Sequence, residues 1–429
     1  MDICVIGAGY VGLTSSAVLA DLGHHVTCVD KNKERIQALN SGESPIFEPG
    51  LSELIQKNQN RLTFTDDVGE AIQKNSCIFI CVGTPPLPDG STDLSYVMSV
   101  VDDLAANITS KKTVITKSTV PLGTNEMIHR LLLKKGVSPG LFRIVSNPEF
   151  LREGSAVHDM FHPDKTVIGL QHGDTTSLEI MKQIYKGIQA PMIVTTLNDA
   201  EVIKFTSNAF LATKISFINE VARICDRYQA DVTSVAAAIG LDPRIGKHFL
   251  QAGVGYGGSC FPKDVSSFIH SAKQRGVETP ILEAVQSVNE TQLDVYIDKI
   301  HSYIGDSLTK KVAVLGIAFK PNTDDTRSSR AVALIQKLDA LKFNVMAYDP
   351  KAILPTEGLK TAKQAETIAD AILDADCLFI ATDWPSFKTL DWKKVKTWMK
   401  GDLVIDGRNC IDPKEIRKHG LRYIGVGRV

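Results

Sequence analysis

Short, mainly apolar runs alternate with longer segments of helical periodicity over the first 150 residues. These runs occur at residues 3–6, 25–29, 77–82, 113–116 and 143–146. Runs of this length between turn residues are typical of strands that are buried on both faces of a parallel sheet. The alternation therefore predicts an α/β fold with a doubly wound sheet in the first part of the chain.

The same pattern returns near the end of the chain, at residues 311–316, 344–348 and 377–381. Between the two parts, a segment that resembles a helix capping box opens a stretch without Pro or Gly at residues 198–227, and helical patterning continues to about residue 304. The pattern predicts two Rossmann-like doubly wound domains joined by a long central helix and a helical middle domain. We place the three domains at residues 1–196, 197–300 and 301–429.

The predicted central helix carries apolar residues nearly all the way round its axis. These residues include Val202, Phe205, Phe210, Ile215, Ile218, Val221 and Ile224. A helix at a protein surface normally shows a single apolar stripe. We therefore expect this helix to be buried, in contact with more than one domain or with a second subunit.

Composition excludes several classes of function. Of the 429 residues, 43% are hydrophobic and 23% are charged, and the formal net charge is -1. Because no block of Lys and Arg stands out, neither a nucleic acid nor a membrane surface is expected as a partner. The chain has no leader pattern and no apolar run of membrane-spanning length, and its 8 scattered Cys fit reduced thiols. We expect a cytoplasmic protein without a metal site.

Three glycines follow the first predicted strand with the spacing of a dinucleotide-binding turn. Gly7, Gly9 and Gly12 lie between this strand and a predicted helix, and the second strand ends at Asp30. The glycines would let a pyrophosphate approach the helix N-terminus, and the acid would bind the ribose hydroxyls and repel a 2′-phosphate. The pattern favours NAD, although nearby cations that include Arg35 leave NADP open.

Polar side chains follow other predicted strands of the first sheet, at the edge where open parallel sheets bind their ligands. Thr84 follows the strand at 77–82, and Thr119 follows the strand at 113–116. The loop at 147–154 contains Glu149, a candidate acid or base, and Glu153, which could approach the cofactor. Ordinary turn residues and a solvated acidic loop are the alternatives.

The central helix and a glycine-rich loop supply the other candidate catalytic groups. Lys204 and Asn208 are four residues apart and so share a helix face, where they could stabilise an oxyanion or form a salt bridge and a core amide. Cys260 lies in the glycine-rich stretch 253–264, which could hold a thiol against a substrate, and Lys263 would favour the thiolate. A flexible connector with an incidental Cys is the alternative.

The last predicted domain repeats the strand pattern of the first but lacks the three-glycine turn. Its first loop, at residues 319–327, is longer and charged, which suits a ligand held by side chains. This domain could bind a second nucleotide or close over the first site, and a degenerate structural domain is the third possibility.

Taken in order along the chain, these motifs resemble those of the UDP-glucose/GDP-mannose dehydrogenase family, and the resemblance covers essentially the whole chain. It implies a four-electron oxidation of the primary alcohol of a nucleotide sugar by NAD, through an aldehyde and a thioester on Cys260. The segment 256–264 looks like the pattern of family members that act on UDP-glucose, with GDP-mannose and UDP-N-acetylmannosamine as alternative substrates. A two-electron 3-hydroxyacid dehydrogenase and a catalytically silent nucleotide-sugar sensor are the competing hypotheses.

The resemblance also implies roles for individual residues. Catalytic roles are expected for Cys260, Lys204, Asn208, Asp264, Glu149 and Thr119. Cofactor contacts are expected for Gly7, Gly9, Tyr10, Val11, Gly12, Asp30, Arg35, Thr84, Thr119, Glu153, Lys263 and Arg327. Substrate contacts are expected for Glu149, Phe150, Leu151, Arg152, Lys204, Asn208, Arg244, Phe249, Leu250, Gln251, Ala252, Gly253, Gly257 and Lys320. Arg244 resembles a residue that reaches the substrate of a neighbouring subunit, which implies a homodimer or a higher homo-oligomer.

Overall fold

The computed structural model describes residues 1–305 and 308–428, which form two compact units. The first unit comprises Met1–Ser207 and Ser266–Arg275, and the second comprises Asn208–Val265 and Gly276–Val429. The division into three domains near residues 196 and 300 stays a prediction.

The first unit is built on an eight-stranded sheet in the order β3-β2-β1-β4-β5-β6-β7-β8. Its strands are β1 (Asp2–Ile6), β2 (His25–Val29), β3 (Leu62–Thr65), β4 (Cys77–Ile80), β5 (Lys112–Thr116), β6 (Phe142–Ser146), β7 (Thr166–Leu170) and β8 (Met192–Thr196). Its helices are α1 (Tyr10–Asp21), α2 (Lys33–Asn40), α3 (Leu51–Lys57), α4 (Val68–Lys74), α5 (Ser95–Asn107), α6 (Thr124–Lys134), α7 (Ala156–Phe161) and α8 (Thr175–Ile184). Neighbouring strands are parallel except for β6 and β7.

Both faces of this sheet are covered, as the apolar runs predict. Successive residues of β1 point to opposite faces, so Ile3 and Val5 belong to one hydrophobic core while Cys4 and Ile6 belong to another. A strand buried on both faces needs a continuous apolar run. The doubly wound fold predicted for this part of the chain is confirmed.

The second unit contains a parallel six-stranded sheet in the order β11-β10-β9-β12-β13-β14. Before this sheet the chain forms α9 (Leu197–Tyr228), which begins in the first unit, α10 (Val232–Gly240), α11 (Phe261–Lys273), which ends in the first unit, and α12 (Pro280–Ile304). The remaining elements are β9 (Lys311–Leu315), α13 (Arg330–Ala340), β10 (Asn344–Tyr348), β11 (Lys363–Gln364), α14 (Ile368–Ile372), β12 (Cys377–Ile380), α15 (Pro385–Lys388), α16 (Trp392–Trp398), β13 (Leu403–Asp406), α17 (Pro413–Lys418) and β14 (Arg422–Ile424).

Each sheet places its first strand between the second strand and a later one, which is the strand order of a Rossmann-like domain. The first turn of the second sheet is packed by protein atoms. Asp349, which follows β10, accepts hydrogen bonds from the N–H groups of Ile317 and Ala318 at 2.8 and 3.0 Å and from the indole of Trp384 at 3.2 Å. A Cβ on Gly316 would lie 2.4 Å from the hydroxyl oxygen of Thr382. The start of this turn is therefore closely packed, as it is in the first sheet, where a Cβ on Gly7 would lie 2.6 Å from the carbonyl oxygen of Cys81.

The long helix α9 is only partly buried within this chain, although its composition predicts burial all round. Phe205 and Ile218 lie in the core, whereas Val202, Phe210 and Ile224 are exposed. The apolar residues outnumber the positions that face the helix's own neighbours, so some remain on the surface. Neither α9 nor any other helix within residues 1–305 and 308–428 combines the length and apolar content needed to cross a membrane.

Candidate active site

The turn between β1 and α1 is closed on one side and open on the other. A Cβ added to Gly12 would lie 1.7 Å from the carbonyl oxygen of Gly7, so only glycine fits there. A Cβ added to Gly9 would meet no atom within 4 Å. The open side lies at the N-terminus of α1, where free N–H groups and the helix dipole favour a phosphate. The geometry of this turn fits a dinucleotide such as NAD.

Asp30 is fixed in place at the end of β2. Its Oδ2 atom accepts hydrogen bonds from the backbone N–H of Ala8 at 2.8 Å and from the guanidinium of Arg35 at 3.0 Å, and its Oδ1 atom accepts one from the N–H of Asn32 at 2.9 Å. Arg35 is therefore directed at Asp30 itself. This pairing leaves Arg35 less suited to hold the 2′-phosphate of NADP, and it agrees with the preference for NAD.

Gly9→Ala and Gly12→Ala are expected to impair the protein in different ways. Gly9 has an extended backbone conformation, so alanine is tolerated by the fold but its methyl group would stand in the way of a pyrophosphate. We expect Gly9→Ala to weaken NAD binding about tenfold or more while the melting temperature is unchanged. Gly12→Ala should instead destabilise the fold by roughly 1–3 kcal/mol because its methyl group overpacks the turn. Isothermal titration with NAD and thermal unfolding measure the two effects, and equal losses of stability would contradict this assignment.

The loops that follow β4 and β5 are joined by hydrogen bonds. The hydroxyl of Thr84 donates to the carbonyl oxygen of Thr119 at 2.9 Å, and the hydroxyl of Ser118 donates to the carbonyl oxygen of Val82 at 2.7 Å. The structure thus brings the predicted residues Thr84 and Thr119 together at the carboxyl edge of the first sheet.

Glu149 and Lys204 form a buried ion pair in the first unit. The ammonium of Lys204 lies 3.0 Å from Oε1 of Glu149, and both side chains are less than a tenth exposed. Burial acts to raise the pKa of Glu149, but the charge and hydrogen bond of Lys204, the N–H of Leu151 and the charge of Lys117 outweigh it and lower this pKa. Lys204 also lies 5.3 Å from the centre of the Phe150 ring. The pair combines a carboxylate that is ionised at neutral pH with an ammonium.

The loop that follows Glu149 is held by two carboxylates. The guanidinium of Arg152 binds Asp159 through two hydrogen bonds of 2.9 and 2.6 Å. The N–H of Gly154 donates to the carboxylate of Glu48 and to the hydroxyl of Tyr10, both at 2.6 Å. Glu48 is buried and was not predicted from the sequence, where an isolated Glu after a loop carries no signal. Leu151 and the predicted cofactor residues Val11 and Glu153 are half-buried.

In the second unit, Cys260 stands at the N-terminus of α11. Its carbonyl oxygen accepts the N–H of Asp264 at 2.8 Å, which is the first hydrogen bond of that helix. The thiol is half-buried and lies 3.6 Å from the hydroxyl of Ser259. A helix N-terminus stabilises negative charge, so this position favours the thiolate over the thiol.

The glycine-rich loop before Cys260 is packed tightly in the second unit. Gly258 has φ +86°, and a Cβ there would lie 2.6 Å from the Phe319 ring. A Cβ on Gly257 would lie 2.3 Å from the carbonyl oxygen of Ser328. The glycines are therefore required by close packing as well as by backbone conformation.

Side chains from three helices bind the backbone of this loop. Asn219 accepts the N–H of Gly253 at 2.8 Å, and Gln292 donates to the carbonyl oxygen of the same glycine at 2.8 Å. The amide of Asn289 both accepts from and donates to the backbone of Tyr256, at 2.8 and 3.1 Å. The guanidinium of Arg330 donates to the carbonyl oxygen of Val254 at 3.2 Å. These contacts exclude the alternative that the loop is a flexible connector. The four residues that bind the loop were not predicted, because they lie 33–76 positions away from their partners in the sequence.

Asn208, Asp264 and Lys263 form a hydrogen-bonded chain. The amide of Asn208 donates to Oδ2 of Asp264 at 2.6 Å, and the ammonium of Lys263 lies 2.6 Å from Oδ1 of the same carboxylate. Asp264 is almost completely buried. The ammonium of Lys263 is therefore paired with Asp264. The position of Cys260 at the N-terminus of α11 remains the stronger reason to expect a thiolate there.

A cleft of about 320 Å³ in the second unit is lined by six of the fourteen predicted substrate residues. They are Phe249, Gln251, Ala252, Gly253, Gly257 and Lys320. Leu250 instead packs in the core. Arg408 also lines the cleft, with its guanidinium hydrogen-bonded to the carbonyl oxygens of Ala381 and Phe319 at 2.8 and 2.9 Å. Arg408 was not predicted from the sequence, although it lies two residues after the end of β13, and Thr84 and Thr119 likewise follow strand ends closely.

Two predicted arginines lie outside this cleft. The side chain of Arg244 is 87% exposed and pairs with Asp242 at 2.6 Å. Arg327 pairs with Asp325, also at 2.6 Å, and is largely exposed. The roles of both residues stay predictions.

Three models of one family match the chain in succession. The NAD binding domain of the UDP-glucose/GDP-mannose dehydrogenase family matches residues 1–189, its central domain matches residues 198–291, and its UDP binding domain matches residues 313–413. The first match confirms NAD as the predicted cofactor, and the individual cofactor residues stay predictions. The third favours a nucleotide-binding rather than a purely structural role for the last domain.

Individual relatives match along their full length. The Bacillus subtilis (strain 168) protein YtcA is 55% identical over 428 residues, which cover 100% of both chains. The UDP-glucose 6-dehydrogenase of Rhizobium meliloti (strain 1021) is 43% identical over 439 residues, again with 100% of both chains covered. The solved structure of a UDP-glucose dehydrogenase from Pyrobaculum islandicum is 38% identical, with a TM-score of 0.92 and coverage of 100% of this chain and 98% of that chain. The chain belongs to the UDP-glucose/GDP-mannose dehydrogenase family.

Proposed function

We propose that this protein oxidises UDP-glucose to UDP-glucuronate with two molecules of NAD. The observation that carries the proposal is Cys260, a thiol at a helix N-terminus that ends a rigid loop in the unit containing the predicted substrate cleft. A two-electron dehydrogenase has no use for such a thiol. The relatives named for UDP-glucose support this sugar as the substrate. A reducing compartment such as the cytoplasm, where Cys260 stays a thiol, is part of the proposal.

Cys260 explains how one site can complete two oxidations. NAD, when bound, takes up the hydride of each oxidation. The thiolate of Cys260 adds to the carbon of the aldehyde, so that the half-oxidised sugar is retained as a covalent adduct. Oxidation of this adduct leaves a thioester, and water then releases the carboxylate and restores the thiol.

The surrounding side chains stabilise charge and position water. Lys204 and Asn208 would stabilise the oxyanions that form at the reacting carbon. Glu149 would act as a base toward the hydrolytic water because its carboxylate is ionised. Asp264 and Thr119 would help to position this water. The cofactor would be held by the open turn at Gly9, by Asp30 and by the other cofactor residues predicted above.

A substrate panel tests the proposal directly. UDP-glucose, GDP-mannose and UDP-N-acetylmannosamine are each incubated with NAD, and NADH and the sugar product are counted. We expect two NADH and one UDP-glucuronate for each UDP-glucose consumed. One NADH with a released ketone would indicate a two-electron dehydrogenase. A rise in melting temperature with both ligands but no NADH would indicate a sensor. Faster turnover of GDP-mannose or UDP-N-acetylmannosamine would make that nucleotide sugar the substrate instead.

An apolar stripe on α9 supports a homodimer as part of this proposal. Phe210, Phe217 and Ile224 are spaced by seven residues and are 63%, 55% and 51% exposed. Residues seven apart lie on one side of a helix, and exposed stripes of this kind mark protein interfaces. The exposed guanidinium of Arg244 would then be available to a second subunit.

Phe217→Glu is expected to yield a monomer. The new carboxylate would be buried without a partner in the proposed interface, which costs several kcal/mol. Light scattering coupled to gel filtration gives the mass. Leu373→Glu is the matched control, because Leu373 is equally exposed but lies on no such stripe. A dimer of unchanged stability in Phe217→Glu would exclude this face as the interface.

A further inference from the structure

A second buried lysine lies in the first unit, at the carboxyl end of β5. Lys117 directly follows Thr116 and is as fully buried as Lys204. The oxygens nearest to its ammonium are neutral: the amide oxygen of Asn147 at 3.5 Å and the hydroxyl of Tyr185 at 3.3 Å. Burying an ammonium is costly unless a negative charge compensates for it. Neither of these hydrogen-bond partners compensates for the positive charge of Lys117.

The position of Lys117 is set by two neighbouring strands. The N–H of Asn147 donates to the carbonyl oxygen of Thr116 at 2.9 Å, which places the residues after β5 and β6 side by side. The side-chain amide of Asn147 donates to the carbonyl oxygen of Val167 at 2.9 Å, so its oxygen is turned toward Lys117 and Tyr185. The ammonium also lies 5.8 Å from the centre of the Tyr185 ring. Lys117 therefore lies beside Asn147 in the register of these two strands, and Asn147 precedes Glu149 by two residues.

Glu149 is the carboxylate on which Lys117 acts. Burial is the largest influence on the pKa of Glu149 and acts to raise it. Lys204, the N–H of Leu151 and the charge of Lys117, in this order, lower the same pKa. Among the other groups near this carboxylate, Lys165 lies 4.6 Å from the centre of the Phe150 ring, whereas Cys81 and Tyr185 add no charge that could replace Lys117. Burial raises the pKa of Cys81 to about 12, so this thiol is neutral, and Tyr185 presents a hydroxyl that donates to Asn147.

The sum of the three charges matters for an oxyanion. Lys204 paired with Glu149 alone would be a neutral pair, and its ammonium would attract a developing negative charge only weakly. With Lys117 included, the buried group of two lysines and one glutamate carries a net charge of +1. A further negative charge nearby is then stabilised, and Glu149 stays ionised.

We propose that Lys117 is a positioning residue for the oxidation, which compensates the charge of Glu149 so that Glu149 remains a base and Lys204 remains able to stabilise an oxyanion. This inference rests on the proposed function, because it assigns a consequence to the charge balance of Glu149 and Lys204 in that reaction. Lys117 acts through these two side chains and touches no reacting atom.

The pH dependence of turnover tests this proposal. In Lys117→Met, the acidic limb of the kcat profile should move to higher pH by about one unit, the order expected when a nearby opposite charge is lost. At neutral pH, kcat should fall roughly tenfold or more while KM for the nucleotide sugar changes little. Lys117→Gln, which keeps a donor for Asn147 without the charge, should show the same shift. Lys117→Arg, which restores the charge, should return the limb toward that of the wild type.

Lys112→Met is the matched control. Lys112 lies at the other end of β5, is equally buried, and donates to the carbonyl oxygens of Gln73 and Asn75, both at 2.7 Å. Its replacement should lower the melting temperature but leave the pH profile in place. An unshifted limb in both neutral Lys117 variants, or the same shift in Lys112→Met, would overturn the proposal.

A readout without turnover separates this inference from the proposed function. Urea unfolding at pH 7 of the wild type, Lys117→Met, Glu149→Gln and the double variant gives the coupling between the two charges. Lys117→Met should cost less stability in the Glu149→Gln background than in the wild type. Equal costs would exclude charge compensation even in an active enzyme. A clear coupling in a protein that makes no NADH from any nucleotide sugar would instead refute the proposed function alone.

Discussion

Cys260→Ala is expected to abolish formation of the sugar acid while both ligands still bind. Without the thiol, no covalent adduct forms and no thioester can be made, so the rate of UDP-glucuronate formation should fall by roughly three orders of magnitude or more. The side chain is small and half-buried at a helix N-terminus, so the loss of the sulfur should change the melting temperature by little. Product analysis by mass spectrometry after incubation with NAD measures the effect.

Cys410 provides the control for this experiment. Cys410 is also half-buried and lies in the second unit, but its thiol donates to Asp406 at 3.6 Å. Burial, with the carboxylates of Asp406 and Asp383, raises the pKa of Cys410 far above its ordinary range. Cys410→Ala should therefore retain activity, and iodoacetamide should alkylate Cys260 much faster than Cys410. Full acid formation by Cys260→Ala would remove the covalent step from the proposed function.

Lys204→Met is expected to reduce both turnover and stability. The substitution leaves the buried carboxylate of Glu149 without its nearest cation, which should cost roughly 3 kcal/mol or more of unfolding free energy at neutral pH. Because the proposed function assigns this ammonium to the stabilisation of oxyanions, its loss should lower kcat by about a hundredfold or more. Steady-state kinetics and urea unfolding measure the two effects.

The double variant Lys204→Met with Glu149→Gln separates these contributions. It carries no unpaired carboxylate, so much of the lost stability should return while kcat stays low. The pH dependence has a defined sign. Because the folded state holds the pKa of Glu149 below its ordinary value, the stabilisation is present above that ordinary value and is lost as pH falls through the folded pKa. A wild-type rate in Lys204→Met would show that the ion pair of Glu149 and Lys204 has only a structural role.

The elements and the cofactor turn were predictable because they depend on local patterns. Apolar strands of four or five residues and the three-glycine turn require particular residues at particular spacings, and the structure has strands at all eight predicted runs. The sequence did not predict β3, β7, β8, β11, β13 and β14. The resemblance also predicted roles for Glu149 and Lys204, but the 3.0 Å contact between them joins residues 55 positions apart. No periodicity encodes such a pairing.

The remaining features depend on packing partners that are distant in the sequence. Asn219, Asn289 and Gln292 look like ordinary polar residues on helices, and only the folded chain shows that they bind the loop before Cys260. The sequence also left open whether Phe210 is covered by its own chain or by a second subunit, and it is exposed within this chain. An apolar residue on a long helix satisfies the burial pattern equally well whether the covering surface comes from its own chain or from another.

The amide clamps on the glycine-rich loop link the reactivity of Cys260 to the folding of the second unit. Each of these hydrogen bonds comes from a residue that is distant in the sequence, so the backbone at 253–256 keeps its shape only while α9, α12 and α13 pack against it. A chain that is still folding has the thiol of Cys260 but lacks the helix N-terminus that favours its thiolate. The rate at which Cys260 is alkylated at neutral pH is therefore expected to differ between the folded and the unfolded state of this unit.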